Sequence, residues 1–224
     1  MKEKIKDKVV ISERFNKDRL SFIFIQLKED LLSVYRLPLV KDFFKATFFT
    51  LCVVNVIILF MSVYATRVFG LSESQIINLM FFSTIFAIFG SLVSGYVADR
   101  IGVVLTLIGV YILWMISLFL GSFLRNINLY WLVGALVGLS LSSTWVVMRS
   151  LAIQLVPSSK TGAIFGLSNL IGCFSGIIGA LYWGIILLFL SFLGDLRYRI
   201  ALFSLNIFFL FSFVFLLRLL KSFR

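Results

Sequence analysis

Few side chains in this sequence could do chemistry, and the most informative group lies between two long uncharged runs. Gly95 and Gly102 bracket Asp99 and Arg100, which places a carboxylate beside a guanidinium at the end of an apolar segment. An unpaired carboxylate is costly at the boundary of a membrane. We therefore expect Asp99 to pair with Arg100, with Arg149 or with the positive N-terminus of a neighbouring helix. The alternative interpretation is a solvated turn that caps a helix.

A second charged residue, Arg149, ends another uncharged run. At the centre of a membrane helix an arginine costs about 2.5 to 3.5 kcal/mol on insertion scales, whereas near the interface its head group reaches water at little cost. Two roles stay open for this residue. It is either an interfacial anchor, or a cation that pairs with Asp99 or neutralises an anionic solute at the inner mouth of a cavity.

The usual signatures of catalysis and cofactor binding are missing from the sequence. It contains no His, no CxxC pair and no glycine-rich phosphate loop, which removes the common motifs for metal, redox and nucleotide chemistry. Cys52 and Cys173 both fall in apolar runs, where we expect them to pack rather than react. We expect no metal, no cofactor and no enzymatic activity. An enzyme acting on lipid is a remote alternative, because neither interface carries a carboxylate cluster or a nucleophile with a base.

The composition shows which elements must position these residues. The chain is 61% hydrophobic and 14% charged, with a mean hydropathy of +1.07, against about 45 to 50% and about 25% in soluble proteins. Backbone groups in lipid find partners only within helices or closed barrels. The runs without charge predict an all-α, polytopic membrane bundle of six transmembrane helices. The predicted spans are about 43–66, 75–98, 102–124, 129–149, 162–186 and 199–218.

The basic residues predict the orientation of this bundle. The formal net charge is +11, and all but four of the 21 Lys and Arg residues fall on one side of the predicted topology. The four exceptions are Arg67, Arg125, Arg197 and Arg199. By the positive-inside rule both termini should be cytosolic, and we expect a multi-pass protein of the cell (inner) membrane. The charge thus indicates a lipid bilayer as partner and no nucleic acid.

The segment before the first span has a different pattern. Apolar residues recur at helical spacing between Leu20 and Arg36 with charges opposite them, which predicts an N-terminal amphipathic interfacial helix on the inner leaflet. Pro38 should end it. We therefore divide the chain into a cytosolic lead-in with this helix, 1–41, and a six-helix transmembrane domain, 42–224. The charged N-terminus has no apolar segment of a cleaved signal peptide behind it.

Small residues recur every four positions in the second and fifth spans. Such stripes allow helix backbones to approach closely in lipid, where packing drives association. The fourth span has a shorter version at Gly134, Gly138 and Ser142. The alternative is that small residues are simply common in membrane helices. The two long stripes are Ser83, Ala87, Ser91, Gly95 and Asp99, and Ser168, Gly172, Gly176, Ala180 and Gly184.

The hairpin Gly95-x-x-x-Asp99-Arg100-x-Gly102 resembles the signature between the second and third helices of each half of the major facilitator superfamily. Residues 36 to about 185 further resemble the C-terminal six-helix half of its vacuole-effluxer-like branch. The matching motifs are Arg36-Leu37-Pro38, Tyr64-Ala65-Thr66, Gly70-Leu71-Ser72, Gly134-Ala135-Leu136-Val137-Gly138, Arg149-Ser150-Leu151, Leu155-Val156-Pro157 and Phe165-Gly166, with Gly179 and Gly184.

This resemblance implies alternating-access transport of a small solute by two six-helix halves, of which the chain would supply one. In the family the acid of this hairpin acts as a latch. The hairpin residues in this sequence are Gly95, Asp99, Arg100 and Gly102. The second and fifth helices of the family form the seam between the halves. The two small-residue stripes would then face a second half, either a separate chain or a second copy. Cavity residues implied on the first and fourth helices are Asn55, Ser62, Tyr64, Ser142, Ser143, Thr144, Trp145 and Arg149.

Departures from the family pattern favour a second hypothesis. Val103 and Val104 occupy positions where basic residues usually follow the hairpin glycine, and Ala180 stands where a proline is common. The chain would then be a non-transporting membrane scaffold or a decayed transporter fragment. In either case the sequence does not identify the solute, its direction or a driving ion.

Overall fold

The computed structural model describes residues 33–35 and 37–222. All regular structure in this part of the chain is helical. The predicted amphipathic helix lies outside the described residues except for 33–35, which are helical.

Six helical segments are long and apolar enough to cross a membrane, which confirms the predicted all-α bundle. The sixth consists of two helices, α6 and α7, that follow each other almost without a break. The protein is therefore an integral, multi-pass membrane protein. The helices are α1 (Pro38–Phe69), α2 (Glu73–Ile101), α3 (Val103–Phe123), α4 (Ile127–Gln154), α5 (Thr161–Phe189), α6 (Leu196–Ser204) and α7 (Asn206–Ser222), with single 3₁₀ turns at Ser158–Lys160 and Ser191–Leu193.

The connection between α1 and α2 shows how local sequence sets the helix ends. Gly70 terminates α1 in the left-handed conformation at φ 65°, which a glycine adopts without strain. Ser72 then caps α2, because its Oγ accepts from the backbone N–H of Gln75 while the Gln75 side chain accepts from the N–H of Ser72 at 3.0 Å. This reciprocal pair satisfies two donors that a helix start would otherwise leave open.

The connection between α2 and α3 consists of Gly102 alone. Its φ of 96° lies in the region that favours glycine. The α2 helix continues through Asp99 and Arg100 to Ile101, beyond the predicted end of the span at residue 98. Charged side chains on an exposed final turn can extend into water while the backbone keeps its helical hydrogen bonds, so the helix need not stop where the charges begin.

The bundle is built from close helix pairs. The α2 helix packs chiefly on α4, whereas α1 lies between α5 and α7, and α3 packs against α4, α6 and α7. Aromatic side chains pack between α3 and α7, where the centroid of the Phe209 ring lies 5.5 Å from that of Tyr111 and 5.6 Å from that of Trp114. Both Trp114 and Phe209 are fully buried.

The six spans differ in how much of their surface this chain covers. Only 11% of the apolar window of α2 and 17% of that of α5 are buried, against 33% for the span of α6 and α7 and 50% for each of α1, α3 and α4. The bundle thus covers least of α2 and α5.

Candidate functional site

A cavity of about 690 Å³ lies between α1, α4 and α5, a volume in the range of roughly 300 to 1,000 Å³ common for ligand sites. Its walls are mostly apolar, with Phe43 and Phe165 near the starts of α1 and α5 and Met148 near the end of α4. We call this space the main cavity.

Arg149 and Trp145 lie together on the α4 wall of the main cavity. They are four positions apart, which puts them on one face of the helix. The guanidinium carbon of Arg149 lies 5.8 Å from the centroid of the Trp145 ring, close enough for a cation–π interaction. Both side chains are exposed to the cavity, Trp145 by 39%. The resemblance implied both residues, and the structure places them side by side.

Asn55 joins the α1 and α5 walls. Its amide nitrogen donates to the carbonyl of Leu51 at 2.9 Å and also contacts the carbonyl of Gly172 and the Oγ of Ser175, each at 3.4 Å. Gly176 lies next to this carboxamide, where a Cβ would be at van der Waals distance, 3.5 Å from its carbon and nitrogen. Asn55 is therefore a polar bridge between two helices at the cavity wall.

Thr47 of α1 was not among the residues indicated by the sequence. It lines the main cavity and is 2% exposed. Its hydroxyl forms no hydrogen bond with any described residue, although threonine on a helix can donate to the carbonyl one turn earlier. Burying a hydroxyl without a hydrogen-bond partner costs free energy. A bound molecule that hydrogen-bonds to the Thr47 hydroxyl would remove that cost. No sequence motif distinguished this threonine from its neighbours.

A smaller cavity of about 280 Å³ lies between α1, α2 and α4, towards the C-terminal end of α1 and the N-terminal ends of α2 and α4. Ser62, which the resemblance implied as a cavity residue, is on its wall together with Tyr130. The Tyr130 ring packs against Phe69 in a tilted arrangement, 4.2 Å between centroids, and its buried hydroxyl has no partner in the described part of the chain.

Four other implied cavity residues lie in contacts between helices or within α4 and line neither cavity. The Tyr64 hydroxyl donates to the carbonyl of Gly121 at 2.7 Å, and Ser143 donates to the carbonyl of Gly90 at 2.9 Å. Thr144 accepts a hydrogen bond of 2.9 Å from the indole nitrogen of Trp114. The Ser142 hydroxyl lies 3.3 Å from carbonyls one turn earlier in its own helix.

Within the described part of the chain, the hairpin side chains form no ion pair. Asp99 and Arg100 are exposed, and within the described residues no ion pair joins Asp99 to Arg100 or to Arg149. The Arg100 guanidinium lies over the ring of Tyr96 instead, 5.1 Å from its centroid. The carboxylate is therefore available to a partner from outside this bundle or to water.

The α5 stripe mostly borders the main cavity. Ser168, Gly172, Gly176 and Ala180 line it, whereas Gly184 faces open space. The tight contact of α5 with α1 is made elsewhere on the helix, at Gly179, where an added Cβ would lie 2.5 Å from the carbonyl of Cys52. Cys173, expected to pack, is instead exposed and lines the main cavity.

The α2 stripe is divided between two environments. Ser83 lies against Gly138 of α4, and Ala87 lines the smaller cavity. The Ser91 hydroxyl donates to the Ile88 carbonyl in its own helix at 2.8 Å, and Gly95 faces open space. The N-terminal part of the stripe thus packs within the described bundle, and its C-terminal part at Gly95 is left uncovered.

Comparison with known proteins gives two matches. The family model described as Major Facilitator Superfamily matches residues 31–223. The chain is also 27% identical over 140 residues to the uncharacterized MFS-type transporter YxiO of Bacillus subtilis (strain 168). This alignment covers 62% of the chain and 32% of the relative, so the matched part spans about a third of the relative's length. No solved structure gives a significant match.

Proposed function

Because the chain belongs to the major facilitator superfamily, we propose that its six helices form one half of a transporter that moves a small solute by alternating access. The observation that carries this proposal is the main cavity between α1, α4 and α5, a space of about 690 Å³ in the membrane-spanning region that contains Asn55, Trp145 and Arg149. The cavity is apolar with a few polar groups, as solute sites usually are.

A second six-helix half completes the proposed transporter, whether it belongs to the same polypeptide, a separate chain or a second copy. The low burial of α2 and α5 supports this arrangement, since these two helices carry the largest uncovered surfaces. Gly95 and Gly184 lie on them with open space where a side chain would be. We expect the inner part of the α2 stripe and the outer end of the α5 stripe to contact the second half.

The hairpin is the proposed latch of the transport cycle. Its carboxylate, Asp99, would bind a helix N-terminus of the second half in one state and release it in the other. Within the superfamily we assign the chain to the vacuole-effluxer-like branch, on the motifs around Tyr64 and Gly134, with efflux as the expected direction. We expect both termini in the cytosol and the cell membrane as the location.

The test is uptake of radiolabelled amino acids, sugars and organic acids into liposomes that contain the chain with its co-purified second half. Uptake of at least one class above empty liposomes supports transport. Asp99→Lys should change that flux without loss of membrane insertion, whereas Asp195→Lys, a charge reversal on the exposed outer loop, should not. The scaffold alternative predicts no uptake and a monomeric bundle covered by lipid, and that result would reject the proposal.

A further inference from the structure

The charge of the main cavity indicates what kind of solute fits. Among the described residues that line it, only Arg149 is charged. No described carboxylate forms an ion pair with this guanidinium. The nearby ring of Trp145 is uncharged and does not neutralise it. An arginine beside apolar walls attracts negative charge more strongly than it would in water.

The neutral groups of the same cavity fit an acid with an apolar body. The Thr47 hydroxyl is buried and has no partner among the described residues, so it can donate to an acidic oxygen. Phe43, Met148 and Phe165 supply an apolar wall. Guanidinium groups bind carboxylate and phosphate through two parallel hydrogen bonds, which gives such a site both affinity and orientation.

We infer that the main cavity binds an organic anion whose acidic group pairs with the Arg149 guanidinium and whose apolar body lies against Phe43, Met148 and Phe165. This inference rests on the proposed transport function and names the class of its solute. Carboxylates and phosphates share the required chemistry. The competing role for Arg149 is an anchor whose head group contacts lipid phosphates at the inner interface.

The natural cysteines provide a direct assay. Cys173 is exposed and lines the main cavity, whereas Cys52 is 1% exposed in the contact between α1 and α5. A maleimide should therefore react with the full chain in nanodiscs at Cys173, and a molecule bound in the cavity should slow that reaction. Mass spectrometry of the alkylated peptide identifies the site.

Three probes with the same ring system separate charge from shape: indole-3-acetate, indole-3-acetamide and tryptamine. We expect the acid to protect Cys173 at concentrations about 10-fold lower than the amide, as a charge-assisted hydrogen bond predicts, and the amine to give no protection. Phenyl phosphate distinguishes a phosphate head group from a carboxylate. Equal protection by the three indoles, or no protection by either acid, would overturn the inference.

Variants test whether the preference for the acid over the amide depends on the Arg149 guanidinium. Arg149→Gln should remove the difference between acid and amide, and Arg149→Lys should keep part of it because the charge remains. Arg67→Gln, outside the cavity on the exposed last turn of α1, is the matched control and should behave as wild type. Thr47→Val, which keeps every charge, should weaken protection by the acid. An undiminished preference in Arg149→Gln would assign that residue to the interface instead.

The outcomes for solute class and for transport are separable. Protection that depends on negative charge, in a protein that moves no solute across liposomes, would reject transport and keep the ligand class. Flux of sugars or cationic amino acids without protection of Cys173 by acids would keep transport and reject the ligand class.

Discussion

Gly138 of α4 faces the backbone carbonyl of Ser83 in α2, so a Cβ on Gly138 would collide with main-chain atoms. Gly90 has the matching position on α2, where an added Cβ would lie 2.6 Å from the carbonyl oxygen of Leu139. The Ser143 hydroxyl closes the same contact with its hydrogen bond to the Gly90 carbonyl. Helices approach this closely in membranes when small residues line the contact, because packing rather than apolar burial drives their association.

Gly138→Ala should destabilise the bundle, because the methyl group meets backbone atoms that cannot rotate away. Overpacking of this kind costs about 1 to 3 kcal/mol, which thermal unfolding in detergent would detect as a lower midpoint. Gly109→Ala in α3 is the control, since its added Cβ meets open space, and the better helix propensity of alanine should leave the midpoint equal or higher. Equal losses in the two variants would contradict the close contact.

The hydrogen bond from Trp114 to Thr144 should contribute measurably to the contact between α3 and α4. Thr144→Val keeps the shape of the side chain and leaves the buried indole N–H without its acceptor at 2.9 Å. Membrane hydrogen bonds average about 0.6 kcal/mol and reach about 1.7 kcal/mol. A double-mutant cycle with Trp114→Phe measures the pair. Strictly additive losses would show that the two side chains are not coupled.

Fusions should place both termini in the cytosol. Green fluorescent protein joined after Arg224 should fluoresce, and alkaline phosphatase at the same position should be inactive. Alkaline phosphatase joined after Arg125, in the outer connection between α3 and α4, should be active. The physical reason is the retention of Lys and Arg on the cytosolic side during insertion. Activity of alkaline phosphatase at the C-terminus would reverse this topology or break the even number of crossings.

The uncovered glycines allow the proposed seam to be tested apart from the fold. Gly95→Leu and Gly184→Leu fill space that this half leaves open, so the thermal midpoint of the isolated chain should not fall. Co-purification of the second half should decrease, because the new side chains prevent close approach of its helices. Gly109→Leu enters equally open space on α3 and should leave co-purification unchanged. Loss of association in all three variants would argue against the seam.

The helices could be predicted from the sequence because charge is excluded from lipid, and six uncharged runs became six spanning segments. Their ends were less predictable, since a charged residue such as Asp99 stays helical until Gly102 breaks the pattern. The residues that line the main cavity were still harder to predict. Consecutive residues on a helix rotate by roughly 100°, so Ser143 and Thr144 cannot share the direction of Trp145. Ser142 lies one turn before Trp145, yet in the structure only Trp145 of these four reaches the main cavity.

The contacts that the sequence did not reveal depend on partners distant along the chain. Gly179 resembles every other glycine of α5 until the carbonyl of Cys52 is placed beside it. Thr47 likewise becomes informative only when its missing hydrogen bond is seen within the cavity wall. Such features come from the tertiary fold and have no local pattern.

The joint at Gly102 has a mechanical consequence. A connection of one residue allows little change in distance between two helix ends, so a tilt of α2 must move the start of α3. Because the rings of Trp114 and Phe209 stack between α3 and α7, that movement is passed on to α7. A force applied at the hairpin would therefore move α2, α3 and α7 together.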